Sequence, residues 1–263
     1  MLPTSILGAT SRRRDEDDSL NTAAYRKIKD KIIALELPPA SLIDEARLAN
    51  ELSIGLTPVR QALRRLALEN LVVILPRRGT MVADLNFSDL QKIFEMRSEL
   101  ESLAAQLAAQ RATPEQVSEM ENLLREAENL IAAADNNRLI ELDRTLHALI
   151  ARATQNEFLE QTLDGLYCHV LRLWNLSLQR MNVLSDAMDE HRQLLEAIKA
   201  HNGERAAMLM RAHIRHFQET FERTFQSVQF NAREQEATAQ NGTEDFHTKL
   251  QSIMRLRDPI RSL

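Results

Sequence analysis

From Asn21 the apolar positions Ala24, Tyr25, Ile28, Ile32 and Ile33 recur at helical spacing, and Pro38 and Pro39 end the run. A second, short helix is expected after Asp44 as cap, with Ala46, Leu48, Ala49 and Leu52 apolar. Ser53 to Leu56, with Gly55, reads as a tight turn. Thr57 then caps a third helix with Pro58 in its first position, where proline has no amide proton to lose, and this helix should run to about Glu69. After Asn70, Leu71 to Leu75 is a β-rich apolar run, Pro76-Arg77-Arg78-Gly79 is a turn, and Thr80 to Val82 returns as a second strand. The pattern is three helices and a hairpin.

From Ser88 to about Val228 the spacing is helical throughout, broken by cap signals at Ser88, Thr113-Pro114, Asn136-Asn137, Asn156 and Asn202-Gly203. These breaks predict six helices of roughly 15 to 25 residues each. Apolar density falls from Gln229, and a short amphipathic stretch, LQSIMRLRDPIRSL, closes the chain. The expected organisation is a flexible arm over 1–20, a winged helix-turn-helix over 21–84, an all-helical domain over 87–228 and a partly disordered tail over 229–263. The fold class is mainly α: a winged head followed by a bundle of six to seven helices.

Composition narrows this picture. The 263 residues include 44% hydrophobic and 27% charged positions with only 6 Gly and 7 Pro, which suits two helix-rich domains with ordinary cores. No apolar run approaches the roughly 18 residues of a membrane span, and MLPTSILGATSRRRDEDD lacks the order of a secretory signal, so a cytoplasmic protein with no membrane partner is expected. The single cysteine, Cys168, sits among Leu166, Val170 and Leu171 and reads as a packed thiol.

The net charge of −5 hides an asymmetry: residues 21–84 hold ten Lys/Arg against seven Asp/Glu, so the acidic surplus lies elsewhere. A modestly basic module on an acidic chain suits a DNA-binding head. On the third helix Val59, Ala62, Leu63 and Leu66 fall on one face, which leaves Thr57, Arg60, Gln61, Arg64 and Arg65 outward. Arg60 is the natural guanine reader, because its planar fork can donate two bonds to O6 and N7. Arg77 and Arg78 on the hairpin tip, with Gly79 permitting the turn, can meet phosphates or a minor groove, and Arg12, Arg13 and Arg14 of the arm could brush the DNA backbone.

A second constellation lies in the helical domain. Asp143 and His147, four residues apart, share a helix face within the stripe of Leu139, Leu142, Leu146 and Ile150, while His191 and His213 lie on apolar stripes of their own. Inward imidazoles and a carboxylate must either satisfy one another, as core histidines usually do, or bind a metal. Such a set suits Zn, Ni, Mn or Fe(II), with zinc placed first.

The segment IDEARLANELSIGLTPVRQALRRLALENLVVILPRRGTMV resembles the winged helix-turn-helix of the GntR family of bacterial regulators, most closely in LAN at 48–50, TPVRQALRRL at 57–66, LENLV at 68–72 and RRGTMV at 78–82. The family usually places a small polar residue and then Arg before the Thr; Gly55 and Leu56 stand there, so one family base contact is missing. Residues 87–225 resemble the FCD domain of the FadR subfamily, in which an Asp-x-x-x-His pair and two later His bind a divalent metal, here DRTLH at 143–147, DEHRQLLEAI at 189–198 and RAHI at 211–214. The opening MRSELESLAAQLAA at 96–109 and the NGERAAMLM junction match as well, while Leu146 replaces a frequent Phe.

The resemblance implies a homodimeric repressor on a near-palindromic double-stranded operator, released by a small carboxylic acid that completes the metal's coordination. Arg97 is the candidate clamp for that acid, against an i, i+4 helix pair with Glu101 as the alternative. His169 and His216 are candidates for holding the ligands in place. A metalloenzyme is the main rival, yet the chain has no HExxH, no Gly-rich phosphate loop and no nucleophile motif.

Overall fold

The computed structural model describes residues 6–175 and 183–238. Residues Met1–Thr220 form one unit and Phe221–Leu263 a second. The first helix, α1 (Ile6–Ile33), is followed by β1 (Leu42–Ile43), α2 (Glu45–Leu52), α3 (Leu56–Leu68), β2 (Val72–Leu75) and β3 (Gly79–Val82). Six helices then follow: α4 (Phe87–Arg111), α5 (Pro114–Ala132), α6 (Asn136–Ala153), α7 (Glu157–Leu173), α8 (Val183–Lys199) and α9 (Gly203–Thr238), the last running into the second unit. This is a winged helix-turn-helix followed by a helical bundle.

The head closes around one seam. Ala24, Ile28 and Ile32 of α1 are fully buried, as are Val59 and Leu66 of α3, and the two helices pack together. The Asp44 side chain caps α2 by accepting from the amides of Ala46 and Arg47, and Ser53 ends that helix in the left-handed region. β3 lies between β1 and β2, antiparallel to both, with Leu42 opposite Met81 and Val72 opposite Val82. At the wing, Arg78 N–H donates to the Leu75 carbonyl, and the corner residue Arg77 takes a φ of 64°, with Gly79 at 100°.

Several boundaries differ from the sequence expectation. The backbone is helical from Ile6, so the expected arm is an extension of α1; the opposed charges of Arg12–Arg14 and Asp15–Asp18 recur at the four-residue spacing a helix tolerates. The third helix begins at Leu56 with Gly55 as its cap and no side-chain bond, and Thr57-Pro58 lie inside the first turn, where a missing amide proton costs nothing. Asn86 and Asp135 cap α4 and α6 in place of Ser88 and Asn136, because their side chains reach the amides of Asp89 and Arg138. The two-residue β1 is too short to leave a period and exists only through β3. Helix α9 passes Val228 and continues to Thr238, and the weak helix expected near the carboxy terminus lies outside the described residues.

In the helical body α4 packs against α6, α7 and α8, and α5 against α6 and α8. The buried Ala104, Ala105, Ala108 and Ala109 make one side of α4 thin, and the start of α9 comes so close that a Cβ at Gly203 would sit 3.1 Å from the Gln106 carbonyl. Cys168 is fully buried, and burial raises its thiol to about 11, as a packed cysteine requires. Among the described residues no helix is long and apolar enough to cross a membrane.

The α1–α3 seam should dominate the stability of the head. Leu63 is 1% exposed, and Leu63→Ala is expected to cost about 2–5 kcal/mol by leaving a cavity. Urea unfolding followed by circular dichroism checks this; a loss below about 1 kcal/mol would show that the seam repacks.

Candidate metal centre and nucleic-acid interface

Three helices deliver one cluster. Asp143 and His147 come from successive turns of α6, His191 from α8 and His213 from α9, and one ligand atom from each lies within 4.8 Å of all the others. All four side chains are buried. The Nε2 atoms of His147 and His191 are 3.3 Å apart, and Asp143 Oδ1 stands 3.9 Å from the first and 3.7 Å from the second. A tetrahedral ion with ligand bonds of about 2.0–2.1 Å spaces its ligands by about 3.4 Å. The spacing therefore fits a divalent ion.

The remaining ring nitrogens are oriented as metal ligands require. His147 Nδ1 pairs with Glu101 of α4, and His213 Nδ1 lies 2.7 Å from Glu190 Oε2, which leaves Nε2 of each ring for the cluster. Tyr167 of α7 donates its hydroxyl proton to Asp143 Oδ2, which leaves Oδ1 for an ion. Carboxylates behind ligating imidazoles fix both tautomer and ring direction. Among the described residues His191 Nδ1 is buried without a hydrogen-bond partner, and its Nε2 faces His147 Nε2.

The electrostatics agree. Burial, and then the neighbouring His213 and His147, push His191 well below the ordinary imidazole value, so it stays neutral with a lone pair to offer. Burial would lower His147 too, but Glu101 and Asp143 reverse the sign and raise it. Glu101, fully desolvated, would rise on burial alone; the positive charges of Arg97 and His147 bring it instead to about 2.

Sequence reasoning singled out the four residues that converge here but missed Glu101, Glu190 and Tyr167 beside them. Glu101 was visible only as a partner for Arg97, and that pair does form, Arg97 Nε meeting Glu101 Oε1 while the guanidinium lies 5.1 Å from the Tyr167 ring centroid. Arg97 thus sits one residue removed from His147. His216 shares Glu190 with His213, through Nδ1 at 2.7 Å from Oε1. His169 does not reach the cluster: its Nε2 is 3.0 Å from the Glu69 carbonyl, on the side of α7 that meets the head.

On the head, Thr57, Arg60, Gln61 and Arg64 are exposed on α3, and Arg77, Arg78 and Gly79 are exposed at the wing tip. Arg60 Nε is held 2.8 Å from Glu45 Oε2, so α2 pre-sets the direction of this side chain. Arg65 is exposed as well. Its guanidinium stacks 3.7 Å from the Tyr25 ring centroid and faces Glu69.

A helix-turn-helix with a basic wing, joined to a helical body with its own ligand cluster, defines a winged helix-turn-helix regulator. The chain belongs to the GntR family of bacterial regulatory proteins: residues 20–82 match that family's DNA-binding domain and residues 92–216 match the FCD domain. It is similar to the HTH-type transcriptional repressor GlaR of Escherichia coli, 28% identical over 200 residues covering 72% of this chain and 90% of the relative. It is also 35% identical over 119 residues to an HTH-type regulator from the ttuE-ttuC' intergenic region of Agrobacterium vitis, covering 45% of this chain and 69% of that one. The solved structure of E. coli McbR/YncC shares the fold, with a TM-score of 0.70 at 22% identity over 78% of this chain and 98% of the other. The family regulates transcription through DNA and is not a class of enzymes.

Glu101 carries a pH signature. Its carboxylate is held near 2, below its unfolded value of about 4.3, so its contribution is complete above that unfolded value and is lost as pH falls toward 2. In metal-free protein Glu101→Gln should cost about 3–5 kcal/mol at pH 7, because it leaves buried Arg97 without its partner. Urea midpoints of the two proteins are expected to converge between pH 4.5 and 2.5; a gap independent of pH would contradict this charge assignment.

Proposed function

We propose that this protein represses a metabolic operon and is released by a small carboxylic acid bound at a metal ion in its helical body. In this reading residues 21–84 form the head that meets DNA and residues 87–228 the body that senses and dimerises. The observation that carries it is the convergence of Asp143, His147, His191 and His213 within 4.8 Å. They would hold a divalent ion, zinc first and nickel, manganese or iron(II) as alternatives. The ion supplies a positive centre with positions left open for an anionic oxygen.

The chain's own residues then set the geometry. Glu101 and Glu190 aim the His147 and His213 rings, and Tyr167 holds one oxygen of Asp143 away from the ion. Arg97, anchored by Glu101, is the candidate to meet the acid's second oxygen. A homodimer would set two copies of α3 in successive major grooves of a near-palindromic operator. Arg60, with Thr57, Gln61 and Arg64 beside it, would read base edges, while Arg77, Arg78 and the Gly79 turn would contact the backbone or minor groove. A DNA target and the lack of a membrane-crossing helix among the described residues support placement in the cytoplasm. Repression is the preferred sign, in keeping with the repressor GlaR.

The test is sequencing of genomic fragments retained by the purified protein, with and without chelator. Enrichment of a short palindrome beside catabolic genes is expected and would supply acids for titration; no enrichment under any condition would overturn the reading. On that operator, Arg60→Ala should cost about 1–3 kcal/mol and relax preference at one base pair, whereas Arg77→Ala should weaken all sequences alike and reduce the salt slope by about 1. Elemental analysis should find one divalent ion per chain, lost in Asp143→Ala and His147→Ala. Metal-free protein with unaltered response to acids would remove the metal from the mechanism.

A further inference from the structure

Helix α7 touches both functional regions. Tyr167, on its bundle side, binds the metal-ligand carboxylate of Asp143. The helix and the two residues after it meet the head at four points. Asp164 Oδ2 lies 3.1 Å from Lys29 Nζ of α1, and His169 Nε2 lies 3.0 Å from the carbonyl of Glu69, the residue that ends α3. Arg172 donates to the Ala83 carbonyl just after β3. Asn175, immediately past the helix, donates to the Ile33 carbonyl at the end of α1 at 2.8 Å.

Lys29 gathers these contacts into one network. Its side chain is 8% exposed, and the ammonium reaches Tyr25 Oη at 2.9 Å, Glu69 Oε2 at 3.1 Å and Asp164 Oδ2 at 3.1 Å. Tyr25 in turn donates to Glu69 and carries the stacked Arg65. A buried ammonium bound by carboxylates on two different domains ties the end of the DNA-reading helix to α7.

We propose that α7 is the element that reports the state of the metal centre to the reading helix, with Tyr167 as its input contact and the Asp164–Lys29–Glu69 network as its output. The proposal rests on the reading of the cluster as a metal and acid site. Tyr167 and His169 are two residues apart, so about 200° of rotation separates them and one rigid helix serves both faces. An acid that met the ion would alter the pull on Asp143 Oδ1, and among the described residues the hydrogen bond at Oδ2 comes from α7. A small roll or slide of α7 then changes four contacts with the head at once.

The joint also has the character of a switch and not of a permanent weld. Arg172 is fully buried, yet among the described residues its Nε and Nη1 have no hydrogen-bond partner, and the neighbouring Trp174 Nε1 is in the same position. Donors left unmet in one arrangement reduce the cost of leaving it, since a shifted arrangement that meets them recovers their desolvation penalty. A ligand need then favour one arrangement only by its differential affinity.

The test compares operator affinity of the full chain, zinc(II)-loaded against chelator-stripped, in wild type, Asp164→Asn and Tyr167→Phe. Wild type is expected to differ by about 5- to 150-fold between the two states, the usual range of allosteric coupling. Asp164→Asn touches no metal ligand; it should keep its zinc content and circular dichroism while the ratio between states falls at least three-fold toward one. Tyr167→Phe removes the contact to Asp143 itself, so it is compared at saturating zinc, where the ratio should likewise fall at least three-fold toward one. Hydrogen exchange across residues 56–69 should respond to zinc in wild type and lose that response in both variants.

An unchanged ratio in both folded variants overturns the role of α7 and leaves the metal-and-acid reading standing. A wild type whose operator affinity and exchange ignore zinc also overturns it. A wild type that binds neither zinc nor any genomic fragment removes the reading on which it rests.

Discussion

Buried charge is the constraint on which the helical body depends. Arg97, Glu101, Asp143, His147, His191 and His213 are all at least nine-tenths buried, and none of them would tolerate that position alone. Each is held by another: Arg97 by Glu101, Glu101 by His147, Asp143 by Tyr167, His213 by Glu190. The chain runs through α4, α6, α7, α8 and α9, so the same contacts that neutralise the charges also fix how five helices stand around the cluster. His191 is the exception, with Nδ1 unmet among the described residues.

The head obeys the opposite rule. Its core along α1 and α3 is aliphatic, and its cations stay on the surface, where water carries the cost of their charge. Their directions are nevertheless set. Glu45 holds Arg60, and the Tyr25 ring with Glu69 holds Arg65, so two arginines five residues apart on one helix are restrained by different partners. A carboxylate beside an exposed arginine limits its rotamers, so less side-chain entropy is left to lose when it is fixed.

What the sequence made legible follows from what leaves a local period. The head helices, the hairpin, the six body helices and the inward set of Asp143, His147, His191 and His213 all rest on three- or four-residue spacing or on turn residues, and each was readable. The pairing of β1 with β3 was not, because two residues have no period and the partner lies nearly forty positions away. Arg65 looked outward by helical phase, but phase cannot show that the Tyr25 ring of another helix waits beside it. Glu101, Glu190 and Tyr167 stood on amphipathic helices where a carboxylate or a phenol is ordinary. Only the packing of α4, α7 and α8 around α6 and α9 reveals that they contact the buried cluster. His169, equal to His216 in the sequence, separates from it for the same reason, since the two face opposite ends of the molecule's business.

The distribution of charge joins the two regions in a further way. Residues 21–84 carry a positive surplus of three in a chain whose total is −5, so the acidity lies outside the head. At physiological ionic strength such fields reach about 8 Å, far enough to repel a body that approaches phosphate and to favour a head that does. Orientation on DNA is thereby biased before any base is read. Because the surplus on the head is small, affinity for DNA must come from a few well-placed cations and not from the net field of the chain.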